Sequence, residues 1–178
     1  HTAGDQDGKA GWLAADFMTA THTDPVLDYT VPLHFRHRLS TVELTIERND
    51  GVREATLENV KRTSRFNLLT GGVTTDESRG SCRMYRYSPQ GDATAVFRVT
   101  IPAQTLTASS NYVALSGNTD MRLHGISDMV TEAGKVHNYR MDYKKRITIL
   151  DYAPGGTTTG AGLYNAGSSC TVTADVKA

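Results

Sequence analysis

The chain has 178 residues and equal numbers of basic and acidic side chains, 19 of each, so its formal net charge at pH 7 is zero. Nucleic acid binding normally rests on a basic surface that releases counterions from phosphates, so this composition predicts no nucleic acid partner. No apolar run approaches the roughly 20 residues of a membrane helix, so no transmembrane segment is predicted. At this length one hydrophobic core can be buried without a metal or a disulfide scaffold.

Residues 1–30 are predicted to be a linker or inter-domain segment. Its apolar residues cluster at Trp12, Leu13, Phe17 and Met18, and these spacings fit a helical turn or irregular docking better than a strand. The first residues are polar and there is no initiator Met, so we expect a processed form whose natural N-terminus lies elsewhere. The segment is therefore expected to be pinned to a core or to join a missing upstream domain.

The stretch Val31–Ile46 carries the most regular strand pattern in the chain. Half-buried positions are expected in two alternating runs, Leu33, Phe35, His37 and Leu39, then Val42, Leu44 and Ile46. The step from Leu39 to Val42 is three residues, and an odd step moves the apolar set to the opposite face. We therefore expect a β-bulge, or a bend between two sheets, around Ser40–Thr41.

Short alternating runs continue to residue 152, with turn signals about every ten residues. The clearest are Ala93 to Ile101, Asn111 to Leu115, Met121 to His124 and Ile147 to Leu150. Asn49-Asp-Gly51 predicts a hairpin turn after the first strand. Because no helical period lasts longer than one or two turns, residues 31–152 are predicted to form an all-β sandwich domain.

The last segment, residues 153–178, combines a tether with an alternating end. Pro154 to Ser169 is rich in Gly, Thr and Ser, which is typical of flexible or extended chain. In the final nine residues Cys170, Val172, Ala174 and Val176 alternate with Thr171, Thr173, Asp175 and Lys177. This pattern predicts a strand that pairs either with its own sheet or with that of another molecule, and both alternatives stay open.

The residues that could bind a metal or form a disulfide are few. Cys82 and Cys170 are the two cysteines, and their separation fits no C-x-x-C metal or redox pattern. A candidate disulfide between them and two separate thiols are both compatible with the sequence. His34 and His37 are three apart on an expected strand, so they point to opposite faces and cannot share an ion. His37 is interpreted as a half-buried, hydrogen-bonded histidine, and no metal or cofactor is predicted.

No arrangement of residues indicates catalysis. The chain lacks G-x-S-x-G, and Gly155-Gly156 is not followed by Lys-Ser or Lys-Thr. Isolated acids such as Asp142 and Asp151 are interpreted as solvated surface groups. Basic clusters are interpreted as charges that prevent edge-to-edge strand pairing: Lys61-Arg62 with Arg65, Arg83 with Arg86, and Lys144-Lys-Arg146. The sequence therefore predicts a protein that is not an enzyme, with no catalytic residues.

Four patches together resemble the fimbrillin-like family of Bacteroidales, which comprises type V pilus subunits and related cell-surface adhesins. The patches are Asp5–Ala20, Val31–Ser40 with its L-x-F-x-H-x-L pattern, Val99–Ala108 with a Pro and a Gln near its turn, and Glu132–Tyr139 with Ala-Gly-Lys. They occur in the family's order and span about residues 5 to 150. The resemblance implies a Greek-key, transthyretin-like β-sandwich, here the second of two domains.

The resemblance also implies how such a chain works. Family members are exported as lipoprotein precursors to the outer membrane, trimmed by an Arg-specific protease, and polymerised into fimbriae through strands exchanged with other pilin subunits. The candidate donor strand here carries Cys170, Val172, Ala174 and Val176, and a bridge from Cys170 to Cys82 would tie it to its own domain. The alternative is a tip or adhesin module that recognises host glycan or protein through loops such as Thr70–Gly80.

Overall fold

The computed structural model describes residues 5–22, 31–47, 51–117, 121–125, 127–142, 144–147, 156–165, 169 and 171–176. Its elements are α1 (Lys9–Ala15), β1 (Met18–Thr19), β2 (Arg36–His37), β3 (Ser40–Glu47), β4 (Val52–Lys61), β5 (Ser64–Phe66), β6 (Val73–Thr75), β7 (Arg79–Arg83), β8 (Tyr85–Arg86), β9 (Ala95–Ile101), β10 (Thr105–Leu106), β11 (Tyr112–Gly117), β12 (Met121–His124), β13 (Met129–Val130), β14 (Val136–Asp142), β15 (Lys144–Ile147), β16 (Gly156–Thr159), β17 (Gly162–Asn165) and β18 (Thr173–Val176).

Two four-stranded sheets face each other, with strand orders β12-β11-β4-β7 and β14-β3-β9-β8. Neighbours within them pair antiparallel, except that β14 runs parallel to β3, with Val136 opposite Thr41. The chain changes sheets between β7 and β8 at the buried Met84, whose N–H donates to the carbonyl oxygen of Ala55. Such crossings join the layers of a sandwich at its corners. The predicted all-β sandwich is confirmed.

The core lies between these two sheets and follows the alternation of their central strands. On β3 the buried side chains are Ser40, Val42, Leu44 and Ile46, and on β9 they include Ala95, Phe97, Val99 and Ile101. Burying a large apolar side chain stabilises a fold by roughly 1.5–3 kcal/mol, so these two strands anchor the domain.

The first half of Val31–Ile46 departs from the prediction. Residues 31–35 lie outside any strand, and Phe35 is 62% exposed. β2 pairs with β1 in a separate two-stranded sheet, so the break falls at Arg38–Leu39, before the predicted Ser40–Thr41. The prediction that His37 is half-buried was wrong, because β2 lies outside the sandwich and the side chain is exposed. Alternation correctly indicated a strand at Arg36–His37, but it does not say whether a sheet covers such a segment.

The predicted hairpin after β3 was wrong, because β3 and β4 belong to opposite sheets. Gly51 adopts a left-handed φ of 79°, a conformation that glycine takes without steric cost, while Asn49 and Asp50 lie outside the described residues. The connection from β3 to β4 therefore leads from one layer to the other. In the described ranges, no helix is long and apolar enough to cross a membrane.

Candidate functional site

The strands of the C-terminal tail take part in two strand pairs. β16 pairs antiparallel with β18, from Gly156 opposite Val176 to Thr159 opposite Thr173, and β15 pairs with β17. The hydroxyls of Thr159 and Thr173 form a hydrogen bond across the first pair. Neither pair is part of a sandwich sheet. β18 thus pairs within the tail, whereas β17 pairs with β15, which precedes the tail in the chain.

The predicted donor residues fall in and beside β18. Ala174 and Val176 are two residues apart on that strand, and Val172 precedes it with 53% of its surface exposed. Cys170 lies outside the described residues. At the turn, Gly160 has a φ of 107°, and a Cβ there would collide with the carbonyl oxygen of Thr171. Glycine is therefore required where the tail folds back on itself.

The outer edge of β14 is the sandwich edge nearest in sequence to the tail. β14 is the last strand of its sheet and pairs only with β3 among the described strands. Val136, Asn138 and Arg140 are exposed, whereas His137 and Tyr139 are half-buried. The ion pair between Arg140 and Glu47 links β14 to β3. An edge strand presents a row of backbone N–H and C=O groups that an extended segment can pair with.

At the other end of the chain, Gln6 joins the sandwich directly. Its side chain is buried, its Nε2 donates to the carbonyl oxygen of Thr100 at 2.7 Å, and its Oε1 accepts from the Thr100 N–H at 2.9 Å. The N–H of Gln6 itself donates to the carbonyl oxygen of Arg83 at 3.3 Å. Gln6 therefore links two strands: its main chain bonds to Arg83 at the end of β7, and its side-chain amide bonds to the main chain of Thr100 on β9.

Trp12 of α1 packs on the outer face of the sheet that contains β8 and β9. Its ring stacks on Tyr85 with 5.7 Å between centroids, and the Arg98 guanidinium lies 6.0 Å from the Trp12 ring and 3.7 Å from that of Tyr87. Arg98 also forms a 2.6 Å ion pair with Glu43 on β3. Aromatic and cation–π contacts of this kind contribute about 0.5–1.5 kcal/mol each. The predicted linker is thus docked on the sandwich.

A surface cleft of about 300 Å³, here the Trp12 cleft, lies between α1, β2, β3, β9 and the start of β14. Its lining residues are Trp12, Asp16, His37, Leu39, Thr41, Arg98, Thr100, Gly134, Lys135 and Val136. Across it, His37 Nδ1 lies 2.8 Å from Asp16 Oδ1. The hydrogen-bonded environment expected for His37 is present, although the side chain is more exposed than predicted.

The loop region Thr70–Gly80 contains β6 and the start of β7. Its acids are paired, with Glu77 2.6 Å from Lys61 and Asp76 3.6 Å from Arg65. It holds no aromatic residue. Just before it, Leu69 is 96% exposed at the tip of the β5–β6 hairpin. The loop therefore lacks the aromatic surface on which a sugar ring usually stacks.

A model of the fimbrillin-like family matches residues 2–159 of the sequence. The chain belongs to the fimbrillin-like family. The predicted family is confirmed, and membership supports a fimbrial or adhesive role at the cell surface. It also places the chain among structural, non-enzymatic proteins. No protein of curated function matches the sequence.

Two solved structures are similar to this fimbrillin-like chain, both of proposed cell adhesion proteins. One is from Bacteroides thetaiotaomicron, with 13% identity over 67% of this chain and 54% of that one, and a TM-score of 0.44. The other is from Bacteroides fragilis, with 14% identity over 81% of this chain and 47% of that one, and a TM-score of 0.45. The chain spans about half the length of these two proteins.

The sequence predicted Arg83 to be part of a basic surface cluster, but in the structure it forms ion pairs with three acidic residues. Arg83 pairs with Asp5, Asp7 and Glu54 at 3.5, 3.1 and 3.3 Å, so it holds the N-terminal segment of the fimbrillin-like chain against β4 and β7. Nothing in the sequence local to Arg83 indicated acidic partners from the start of the chain.

Cys82 lies on the core face of β7. Burial raises the pKa of its thiol from an ordinary 9.0 to about 11. Its predicted partner, Cys170, lies outside the described residues, so the disulfide stays a prediction. Because a thiol must be deprotonated to react, the raised pKa makes Cys82 a slow partner in disulfide exchange.

Proposed function

We propose that this chain is a structural subunit of a surface fimbrium and that it joins other pilin subunits by β-strand exchange. The donor is the tail segment with Cys170, Val172, Ala174 and Val176, which leaves β16 and pairs with a neighbouring subunit. The observation that carries the proposal is the partner of β18, which is β16 of the same tail and not a strand of the sandwich.

Releasing the tail costs little. The two-stranded β16–β18 sheet has four residue pairs, and an isolated pair of strands is at best marginally stable in water. The exposed Val172 adds apolar surface that this pair leaves in water. Pairing with a longer sheet edge buries that surface and replaces the hydrogen bonds between β16 and β18. The exchange therefore lowers the free energy without disturbing the sandwich core.

The proposed division of the chain follows from this role. Residues 1–30 serve as the inter-domain linker, 31–152 as the sandwich unit, and 153–178 as the tether with the donor strand. The edge of β14 supports the proposal as a site where an exchanged strand could pair, because the described strands leave its outer side open. The same proposal places the mature subunit at the outer membrane, after export as a lipoprotein precursor.

The test is a pair of changes in the tail of the complete subunit. Deleting residues 168–178 should abolish polymers observed by electron microscopy while leaving a folded monomer. A finer comparison sets Val172→Asp against Thr171→Asp, two exposed neighbours that receive the same charge. The first should block assembly because a charge replaces an apolar anchor, and the second should not. Normal polymers from the deletion would rule out the tail as donor.

The alternative, a tip or adhesin module that recognises host glycan or protein, is favoured by the Trp12 cleft. Sugar sites commonly place an aromatic ring beside planar polar groups, and Trp12, Asp16 and Arg98 line the same 300 Å³ space. A glycan array probed with the native chain and with Trp12→Ala tests it. Hits that Trp12→Ala abolishes would support the adhesin. An array without hits, alongside incorporation along the fimbrial shaft, would remove it.

A further inference from the structure

A second cleft, on the other side of β2 and here called the basic cleft, has a volume of about 310 Å³. Its lining residues are Thr19, Thr21, His34, Arg36 and Arg38. Arg36 lies in β2, His34 stands two residues before it and Arg38 two residues after it, and all three line the same cleft. The pairing of β1 with β2 sets Thr19 opposite Arg36 and thereby brings the two threonines to the basic row.

Arg38 is held in place by three contacts. Its Nε donates to Thr19 Oγ1 at 2.5 Å, its backbone N–H donates to the carbonyl oxygen of Phe17 at 2.8 Å, and its guanidinium lies 5.8 Å from the ring of Phe66. The side chain is half-buried. Its orientation is therefore fixed before any ligand arrives, which lowers the entropic cost of binding.

The charges around the cleft are unbalanced. Neither Arg36 nor Arg38 has an ion pair in the part of the chain that the structure describes, whereas Arg83, Arg98 and Arg140 each pair with an acid. None of the lining residues is acidic. In a chain with zero net charge, like charges gathered on one face repel one another unless an anion joins them.

We propose that the basic cleft binds an oxyanion, the carboxylate, sulfate or phosphate group of a small ligand such as an acidic saccharide. The guanidinium groups of Arg36 and Arg38 form paired hydrogen bonds with two oxygens of such a group, and the hydroxyl of Thr21 donates a further one. The volume suits one sugar-sized unit. This site lies apart from the Trp12 cleft and does not depend on strand exchange.

Binding is measured on the native chain by NMR titration with four probes. N-acetylneuraminic acid presents a carboxylate, N-acetylglucosamine 6-sulfate a sulfate, and inorganic phosphate the free anion, while N-acetylglucosamine is the neutral control. At least one anionic probe should shift the backbone amides of Thr19, Thr21, Arg36 and Arg38, and the neutral sugar should not. The affinity should fall as ionic strength rises, because the attraction between exposed charges is screened. Which probe binds identifies the source of the oxyanion.

The matched variants are Arg36→Gln and Arg53→Gln, which remove the same charge from two exposed arginines. Arg53 lies on β4, away from the cleft lining. Arg36→Gln should weaken binding about tenfold or more, whereas Arg53→Gln should change it less than twofold. Arg38→Lys keeps the charge but loses the planar fork, and it should weaken binding without unfolding the chain, as checked by circular dichroism.

Several outcomes would overturn the proposal. It fails if no anionic probe shifts these amides at probe concentrations on the order of tens of millimolar. It also fails if Arg36→Gln and Arg53→Gln change the binding affinity by the same factor. Asp24 and Asp28 lie in the connecting sequence outside the described residues. If no anionic probe binds until both are replaced by Asn, the chain's own carboxylates fill the cleft and the proposal is wrong. Unchanged affinity in that variant supports it.

Discussion

The N-terminal segment and the C-terminal tail flank the same sandwich, and they hold their positions by different bonds. Gln6 bonds to the main chain of Thr100 in a central strand, and Trp12 stacks on Tyr85. The tail strand β18 instead pairs with β16 of its own segment. The N-terminal segment is therefore hydrogen-bonded to a sandwich strand, whereas β18 pairs without any sandwich strand.

This difference separates stability from assembly. Removing the contacts of Gln6 exposes main-chain groups of a buried strand, and the cost falls on the free energy of unfolding. Removing β18 from its pair with β16 breaks only the hydrogen bonds of a marginal two-stranded ribbon. We therefore expect substitutions at the start of the chain to destabilise the monomer, and substitutions at its end to affect contacts between subunits.

The largest effect on the monomer is expected for Gln6→Ala. It leaves the N–H and C=O of Thr100 without their side-chain partner in a buried site, so the free energy of unfolding should fall by about 2–4 kcal/mol. Urea denaturation of the purified domain measures it. Asp7→Ala, which loses only an exposed ion pair with Arg83, is the control and should cost less than about 1 kcal/mol. Equal costs for the two would mean that Gln6 does not clamp the sheet.

The stability of the sandwich core is expected to depend on pH through the buried thiol of Cys82. Its folded-state pKa is raised to about 11, whereas the thiol of the unfolded chain ionises near pH 9. The stability contributed by burying the neutral thiol is therefore fully present below pH 9 and is lost as the pH rises to 11, because the unfolded chain releases the proton first. The loss should be about 2–3 kcal/mol. The measurement is the difference in unfolding free energy between the native chain and Cys82→Ala at pH 8 and pH 11. A difference that stays constant with pH would refute the burial of a neutral thiol.

A smaller loss is expected for Trp12→Ala, because its ring is half-buried and sits outside the core. Losing the stack on Tyr85 and the contact with Arg98 should cost about 1–2 kcal/mol. Thermal unfolding followed by circular dichroism gives the value. Leu13→Ala is the neighbouring control on α1, since Leu13 is largely exposed and should change stability by less than about 0.5 kcal/mol.

The smallest effect on the monomer belongs to the tail. Val172→Asp changes an exposed residue of the tail, so the free energy of unfolding should change by less than about 0.5 kcal/mol. Calorimetry of the monomer provides the measurement. A loss comparable to that of Gln6→Ala would show that the tail belongs to the folding unit, and the contrast between the two ends would disappear.

The central strand β9 could be predicted from the sequence because one of its faces is buried, and it begins two residues after the predicted Ala93. The edge strand β12 was predicted with the bounds Met121–His124 that the structure has. Residues 31–35 show the limit of such patterns. Leu33 and Phe35 alternate as well as the core residues do, but no sheet of the described chain lies over them.

The two polar sites differ in how visible they were. Gln6 lies 94 residues from Thr100 in sequence, and a single polar residue near the start of a chain gives no local signal of its partner. The basic row at His34, Arg36 and Arg38 is visible as an alternation of charge, but it becomes a cleft only when Thr19 of β1 and the following Thr21 complete its lining. Contacts between distant segments depend on the fold as a whole, which periodicity does not contain.

Hydrogen exchange of the β18 amides, Thr173–Val176, distinguishes a tail that pairs with itself from one that is exchanged between subunits, when the monomer and the assembled polymer are compared. Strand exchange predicts weak protection in the monomer and exchange at least about 100-fold slower in the polymer, because β18 passes from a marginal two-stranded pair to a stable sheet. The amides of Phe97 and Val99 on β9 are the internal control and should be protected in both. Equal exchange of β18 in monomer and polymer would contradict strand exchange by the tail.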